Sequence, residues 1–295
     1  MNIVKDLSEC EKLWKQFSLH ETIWDDWDVA LSFFDKTRHE PYFLVADYGL
    51  LPLWKDKTNN RFYFFGGEYP ENRKFWFPIE KFKEVFSHLP NNTKIFDIQG
   101  EMVDSFLKEW PEFEKFFTEE DYHYFLNLNN FNYELEAYLK TFNKKHRKNF
   151  LYDMKKLKDS NLELVWEKLE HFQDCVDFNV KRFGSESDFS DSVFVQDMKR
   201  FLDLLNKRNE IFTLTIIKNG KVEGIEIATF HKNKYYVLNG GYNRDIKNLG
   251  KLIMFEHIKK ALEFKAEIID FLVGDTGWKQ LWNFEKERCR TFFKP

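Results

Sequence analysis

The sequence predicts an α/β (α+β) protein of two tandem lobes, each a mixed, mostly antiparallel sheet flanked by helices, joined by a basic helical segment. Three observations predict it. The order strand, strand, aromatic strand, Gly-Gly, polar loop, helix, acid-ended strand occurs twice. A helical stretch rich in lysine separates the two copies. The chain has 295 residues, 43% of them apolar and 19% aromatic, enough to fill two cores.

The first copy, FLVADYGLLPLWKDKTNNRFYFFGGEYPENRKFWFPIEKFKEVF (43–86), leads to the strand KIFDIQGE (94–101). Pro78 suits a first helical turn, and Ile79, Phe82, Val85, Phe86 and Leu89 repeat at helical spacing, so a helix is expected over 78–89. The second copy, FTLTIIKNGKVEGIEIATFHKNKYYVLNGGYNRDIKNLGKLIMFEHIKKALEF (212–264), leads to EIIDFLVGD (267–275). Its strand over 210–217 ends at Asn219-Gly220, a hairpin-turn dipeptide, and a second hairpin falls at 231–234. Leu252, Phe255, Ile258, Ala261 and Leu262 mark a helix over 250–264. Gly66 precedes Asp97 by 31 residues and Gly240 precedes Asp270 by 30, so the copies read as a duplicated unit. In each, the helix between two strands should make those strands parallel neighbours. Gly240-Gly241 is expected to turn its strand sharply toward the helix.

Residues 133–166 read as a basic helical region, with eight Lys or Arg between Lys140 and Lys158. Helices over 167–184 and 193–207 follow, with a polar loop at 185–192. The lobes are assigned to residues 1–130 and 131–295. Net charge is −4, so nothing in the bulk charge argues for wrapping nucleic acid such as DNA or for coating an anionic membrane. No apolar run approaches the roughly 20 residues of a membrane span. The N-terminal MNIVKDLSECEKLW lacks the apolar core of a signal peptide. Cys10, Cys175 and Cys289 are scattered without a CxxC, the pattern of reduced thiols in a cytoplasmic protein. The eight histidines show no HxxxH or HExxH spacing, so no metal is expected.

Two stretches suit chemistry. A helix N-terminus offers unpaired N–H groups and a positive dipole end to phosphates, and Gly241, Asn248, Leu249, Gly250 and Lys251 surround such an entrance. The other stretch is DFLVGDTGWKQLW (270–282). There Asp275 and Lys279 stand four residues apart, a spacing that one helical face accommodates and that a surface ion pair shares.

The repeat, HRKN at 146–149 and DFLVGDTGWKQLW together resemble the FemAB-related branch of the GNAT acyltransferases, within it the BioF2-like (CelD-type) acetyltransferase domain. The likeness runs from about residue 20 to 284. Asp270, Phe271, Gly274, Asp275, Lys279 and Trp282 occupy the terminal motif. Trp278 stands where a Tyr is usual, and NLGK replaces a Pro-Gly at the helix entrance. The resemblance implies two tandem GNAT-like lobes and transfer of an acyl group from acyl-CoA (acetyl-CoA) to an amine, with no metal. The site is expected in the C-terminal lobe and inter-lobe cleft. The acceptor would be a small molecule or a peptidoglycan or polysaccharide precursor. Asp275 is expected to act as base or amine-orienting group, and Lys279 to bind an anion or orient substrate. Gly241 and residues 248–251 would hold the cofactor, while Arg147, Tyr242, Trp278 and Trp282 would contact substrate. Asp270 would be structural. The first lobe keeps Gly100 and Glu101 but lacks the Lys-x-x-Trp, which reads as degenerate. Alternatives are a FemABX-like aminoacyl-tRNA-dependent peptidyltransferase, its basic helix facing tRNA, or a non-catalytic degenerate binding module.

Overall fold

The computed structural model describes residues 1–275 and 277–295, with the side chains of all but Glu119 and Glu120. It begins with strand β1 (Asn2–Val4), helix α1 (Leu7–Phe17) and helix α2 (Trp27–Ser32). Asp6 and Asp26 cap these helices, each carboxylate accepting a first-turn backbone N–H. Strands β2 (His39–Ala46), β3 (Gly49–Asp56) and β4 (Arg61–Phe64) form a meander. Helix α3 (Phe82–His88), strand β5 (Thr93–Gln99), helix α4 (Gly100–Glu109) and strand β6 (Phe117–Asn127) follow. The middle of the chain gives helices α5 (Leu135–Leu139) and α6 (Lys144–Lys158), strand β7 (Glu163–Glu167), and helices α7 (Phe172–Phe183) and α8 (Ser192–Lys207). Strands β8 (Ile211–Lys218), β9 (Lys221–His231) and β10 (Lys234–Tyr242), helix α9 (Leu249–Glu263), and strands β11 (Ile268–Val273) and β12 (Glu285–Lys294) complete it.

Both expected hairpins form, their turns carried by left-handed Asn219-Gly220 and Lys232-Asn233. Two other expectations change. Residues 163–167 are strand, not helix: Asn161 in a left-handed conformation (φ 55°) diverts the chain after α6, and Leu164-Val165-Trp166 finds a partner in β8. Residues 274, 275, 277 and 278 are not helical, so Asp275 and Lys279 share no helical face; only a 3-10 turn over Lys279–Trp282 forms. Gly274 and Gly277 at φ 82° and 90° hold the chain out of helix there. Thr276 lies outside the described residues.

The chain divides into two compact units, one of Met1–His123, Val273–Asp275 and Lys286–Pro295, the other of Tyr124–Leu272 and Thr276–Glu285. This differs from a single boundary at 130/131 because β12 belongs to the first unit. There β12 pairs antiparallel with β5, and Phe292 buries its ring against Phe82, Phe86 and Phe117. The first unit orders its strands β1-β2-β3-β4-β5-β12, antiparallel throughout except for parallel β4–β5. The second orders them β11-β10-β9-β8-β7, antiparallel except for parallel β10–β11. The duplicated pattern of the sequence is therefore a duplicated topology. Aromatic side chains fill the first core: Trp14 meets Trp27, Phe65 and Trp76 edge-on, and Phe82 lies 4.0 Å from Phe106.

The units differ where their parallel strands part. In the first, pairing of β4 with β5 covers Phe62↔Thr93 and Tyr63↔Lys94, after which Gly66 and Gly67 (φ 106° and 77°) turn the chain. The chain then returns beside β5, where Arg73 donates its N–H to Asp97 O and accepts from Gln99 N. The buried Arg73 guanidinium also donates to Phe96 O and Gly67 O. This returning segment fills the gap beyond the paired strands.

Candidate active site

In the second unit the equivalent gap stays open. Strands β10 and β11 pair only from Lys234↔Ile268 to Tyr236↔Asp270. On β10 a bulge between Val237 and Asn239 bends the strand. On β11 Leu272 adopts φ 62°, and its N–H donates to Asp270 Oδ1 at 2.9 Å. The carbonyls of Phe271 and Leu272, which would otherwise seek a strand partner, accept from Lys279 Nζ at 2.7 and 3.0 Å. Asp270 thus has the structural role expected of it. Lys279 is 6% exposed, and burying an ammonium is costly. The two carbonyls offset that cost, aided by the rings of Tyr124 and Trp278 at 5.1 and 6.0 Å.

Against the later part of β10 lies a cavity of about 660 Å³. Glu226 of β9 and Gly240 and Tyr242 of β10 line one side of it. The first turn of α9, Asn248 to Lys251, lines another, with Arg244 and Lys247 from the preceding loop. Phe142, with His146 and Phe150 of α6, and Trp278, Leu281 and Trp282 supply the rest. Trp282 is fixed from behind: its carbonyl accepts from Tyr138 Oη, and its ring packs on Phe150.

Glu226 is the acid of this cavity. Its carboxylate occupies the space where a side chain at Gly240 would be, since a Cβ there would stand 2.0 Å from Oε2. Burial pushes its pKa up to about 8, and the ammonium of Lys279 opposes the rise. The glycine pair is therefore not a turn. Both glycines lie within β10, paired across to Glu226 and Ile225. Gly240 makes room for the carboxylate, and Gly241 lets α7 approach, because a Cβ on it would fall 2.6 Å from Phe178 Cβ. Asn179 of α7 then donates to Gly240 O at 2.8 Å.

The entrance of α9 is built around Asn248, which sits in a left-handed conformation (φ 67°) without a side-chain cap. Leu249 N–H donates to Ile246 O at 3.2 Å and Lys251 N–H to Asn248 O at 3.1 Å. Lys251 Nζ lies 3.4 Å from Asp153 Oδ2. Gly250 is needed because the Tyr242 phenol lies against it, 2.6 Å from where a Cβ would be.

Of the residues picked out from the sequence, Tyr242, Asn248, Leu249, Gly250, Lys251, Trp278 and Trp282 come together around this one cavity. Lys279 stands beneath it as the strand-end donor, and Gly241 faces α7. Arg147 follows the lining residue His146 on α6 and is not itself in the lining. Asp275 belongs to the first unit. Glu226 and Phe150 were not picked out from the sequence, and His146 entered only as part of HRKN, without a role in the site. Glu226 had a signal: an acid between Ile225 and Ile227, both fully buried, in the middle of an apolar strand.

Residues 144–280 match the family model of the acetyltransferase (GNAT) domain. This segment is a GNAT domain. No curated protein matches the chain in sequence. Among solved structures, FemX is similar with a TM-score of 0.60 at 11% identity, over 98% of this chain and 97% of that one. L-PGS from Bacillus licheniformis gives 0.57 at 10% identity over 100% and 93%. A tandem GNAT protein from the clavulanic acid biosynthesis pathway gives 0.55 at 10% identity over 98% and 96%. At such identities the likeness is one of fold: two tandem GNAT-like lobes. Within the GNAT domain, the parted strands are β10 and β11, and the helix that follows the first of them is α9. No helix is long and apolar enough to cross a membrane, among the described residues.

Proposed function

We propose that the GNAT domain transfers an acyl group from acyl-CoA to an amine acceptor. One observation carries the reading: a single cavity has a cation-flanked helix N-terminus on one side and, on another, a carboxyl group whose pKa is raised to about 8. An amine reaches such a site as an ammonium and must lose a proton before it can attack. An ordinary carboxylate is too weak a base for that step, whereas one near 8 is matched to it. Glu226 takes the proton. The amine nitrogen then bonds to the thioester carbonyl carbon, the carbon–sulfur bond breaks, and the second proton shed by that nitrogen balances protonation of the departing thiolate. Arg244, Lys247 and Lys251 at the start of α9 suit the phosphate end of the donor. Lys279 is a positioning residue, holding β11 away from β10 and favouring the ionised form of Glu226. Proton removal is assigned to Glu226 in preference to Asp275 because Glu226 lines the cavity. The chemistry belongs to the C-terminal lobe because the matching gap of the first lobe is filled by the Arg73 segment.

One observation favours the aminoacyl-tRNA alternative: two first-turn N–H groups of α9 already donate to nearby carbonyls, which leaves fewer for a pyrophosphate. Calorimetric titration with acetyl-CoA and with charged tRNA separates the two. Micromolar acetyl-CoA binding, weakened at least tenfold in Lys251→Glu, supports the reading. Binding of charged tRNA without acetyl-CoA overturns it in favour of the aminoacyl donor. Binding of neither points to a non-catalytic module.

A further inference from the structure

Helix α6 has two faces with different work. One buries Phe150, Met154 and Leu157, and its first turns offer His146 and Phe150 to the cavity. The other face is exposed and carries Lys144, Lys148, Leu151, Tyr152 and Lys155 at positions i, i+4, i+7, i+8 and i+11, with Lys145 and Lys156 beside them. Leu151 is 45% exposed and Tyr152 67%, two of the few large apolar side chains left open in this protein. Several surface lysines elsewhere pair with acids, as Lys5 does with Glu40 and Lys74 with Glu21. None of the five lysines on this face has an ion-pair partner among the described residues. Five lysines without ion-pair partners around an aliphatic and an aromatic side chain repel one another, and only Lys155 and Lys156, in the last turn, are favoured by the helix dipole.

We infer that the outer face of α6 docks on an anionic lipid surface. Lysine ammonium groups on long stems reach a headgroup layer while Leu151 and Tyr152 enter the boundary of the acyl chains. The charge complementarity is to a diffuse field. All five exposed cations are lysines, point charges without the planar fork that arginine brings to nucleic-acid phosphates. Leu151 gains nothing from a phosphate backbone, but it gains from an acyl boundary. The same helix then stands between the lipid and the cavity that its inner face lines.

The test is co-sedimentation of the full chain with vesicles of phosphatidylcholine alone and of phosphatidylcholine mixed with phosphatidylglycerol, with uncharged tRNA in a parallel gel-shift arm. The expected result is binding to the anionic vesicles only, falling as salt rises. Lys148→Glu/Lys155→Glu/Lys156→Glu should weaken it by about a hundredfold. Leu151→Ser/Tyr152→Ser should weaken it several-fold with the salt dependence kept. All five positions are exposed, so both variants should keep the parent's fold, which circular dichroism checks. Absence of binding to anionic vesicles overturns the inference, as does equal binding by the variants. Tighter binding to tRNA than to vesicles, lost in the lysine variant, also overturns it and makes the face an RNA surface. Acyl-CoA titration of the lysine variant keeps the two readings apart, since the donor site and this face share none of the substituted residues.

Discussion

At the residue scale, the decisive side chain is Glu226. Its pKa is raised by burial, so the folded state binds a proton that the unfolded state gives up between about pH 4.5 and 8. Its contribution to stability is present below the unfolded pKa and is lost as pH rises through about 8. Glu226→Gln should therefore be more stable than the parent at pH 9 and indistinguishable from it at pH 4, a comparison that thermal melts make directly. The same substitution should lower kcat by about 10²–10³-fold and abolish the rise in rate through pH 8. A variant that keeps that rise would remove Glu226 from the mechanism. His257 titrates with the opposite sign. It is fully buried, with Nδ1 2.9 Å from Tyr235 Oη, and burial lowers its pKa to about 3. Its contribution is present above the unfolded value and is lost as pH falls toward 3, so acid destabilisation should begin earlier in the parent than in His257→Phe. Gly240→Ala sets a methyl against the Glu226 carboxylate and should cost about 1–3 kcal/mol in urea unfolding. In a Glu226→Ala background most of that penalty should vanish, and a double-mutant cycle measures the difference.

At the element scale, β11 is kept apart from β10 by a lysine. Lys279→Met retains the length of the side chain but leaves the Phe271 and Leu272 carbonyls without their donor. It should cost about 1–3 kcal/mol and raise hydrogen exchange at the end of β11. Because the ammonium opposes the rise in the Glu226 pKa, the rising limb of the rate profile should also move to higher pH in this variant. An unchanged limb would mean that Lys279 acts on the strand alone. Arg73 does the corresponding work in the first unit by donating to Phe96 O and Gly67 O. There a cation fastens a plug in place, whereas Lys279 fastens an opening.

At the scale of the whole molecule, one topology appears twice with one open gap. The last strand of the chain serves the first unit, pairing with β5 from Cys289↔Gln99 to Lys294↔Thr93. Removal of residues 286–295 should therefore destabilise the N-terminal lobe, although the cut is made at the other end of the chain. Phe292 alone is fully buried, and its loss should cost at least about 3 kcal/mol, visible as an earlier unfolding transition by tryptophan fluorescence. Trp14, Trp24, Trp27, Trp54 and Trp76 all report from that unit.

The amino-acid order by itself determined the repeat, the two hairpins, helices α3 and α9, and the parallel pair in each copy, because these depend on periodicity and on turn residues near in sequence. It also determined which stretches would meet at the cavity, since Tyr242, Asn248 to Lys251, Trp278 and Trp282 lie on elements whose ends that order fixes. The tertiary structure alone decided what the glycine pair is for. Clearance for a carboxylate on the neighbouring strand and for α7 is a property of packing, invisible along the chain. It alone decided that residues 163–167 form a strand, because their preference is settled by β8, some 50 residues away. The pKa of Glu226 belongs to the same class, since burial and a lysine far along the chain set it together.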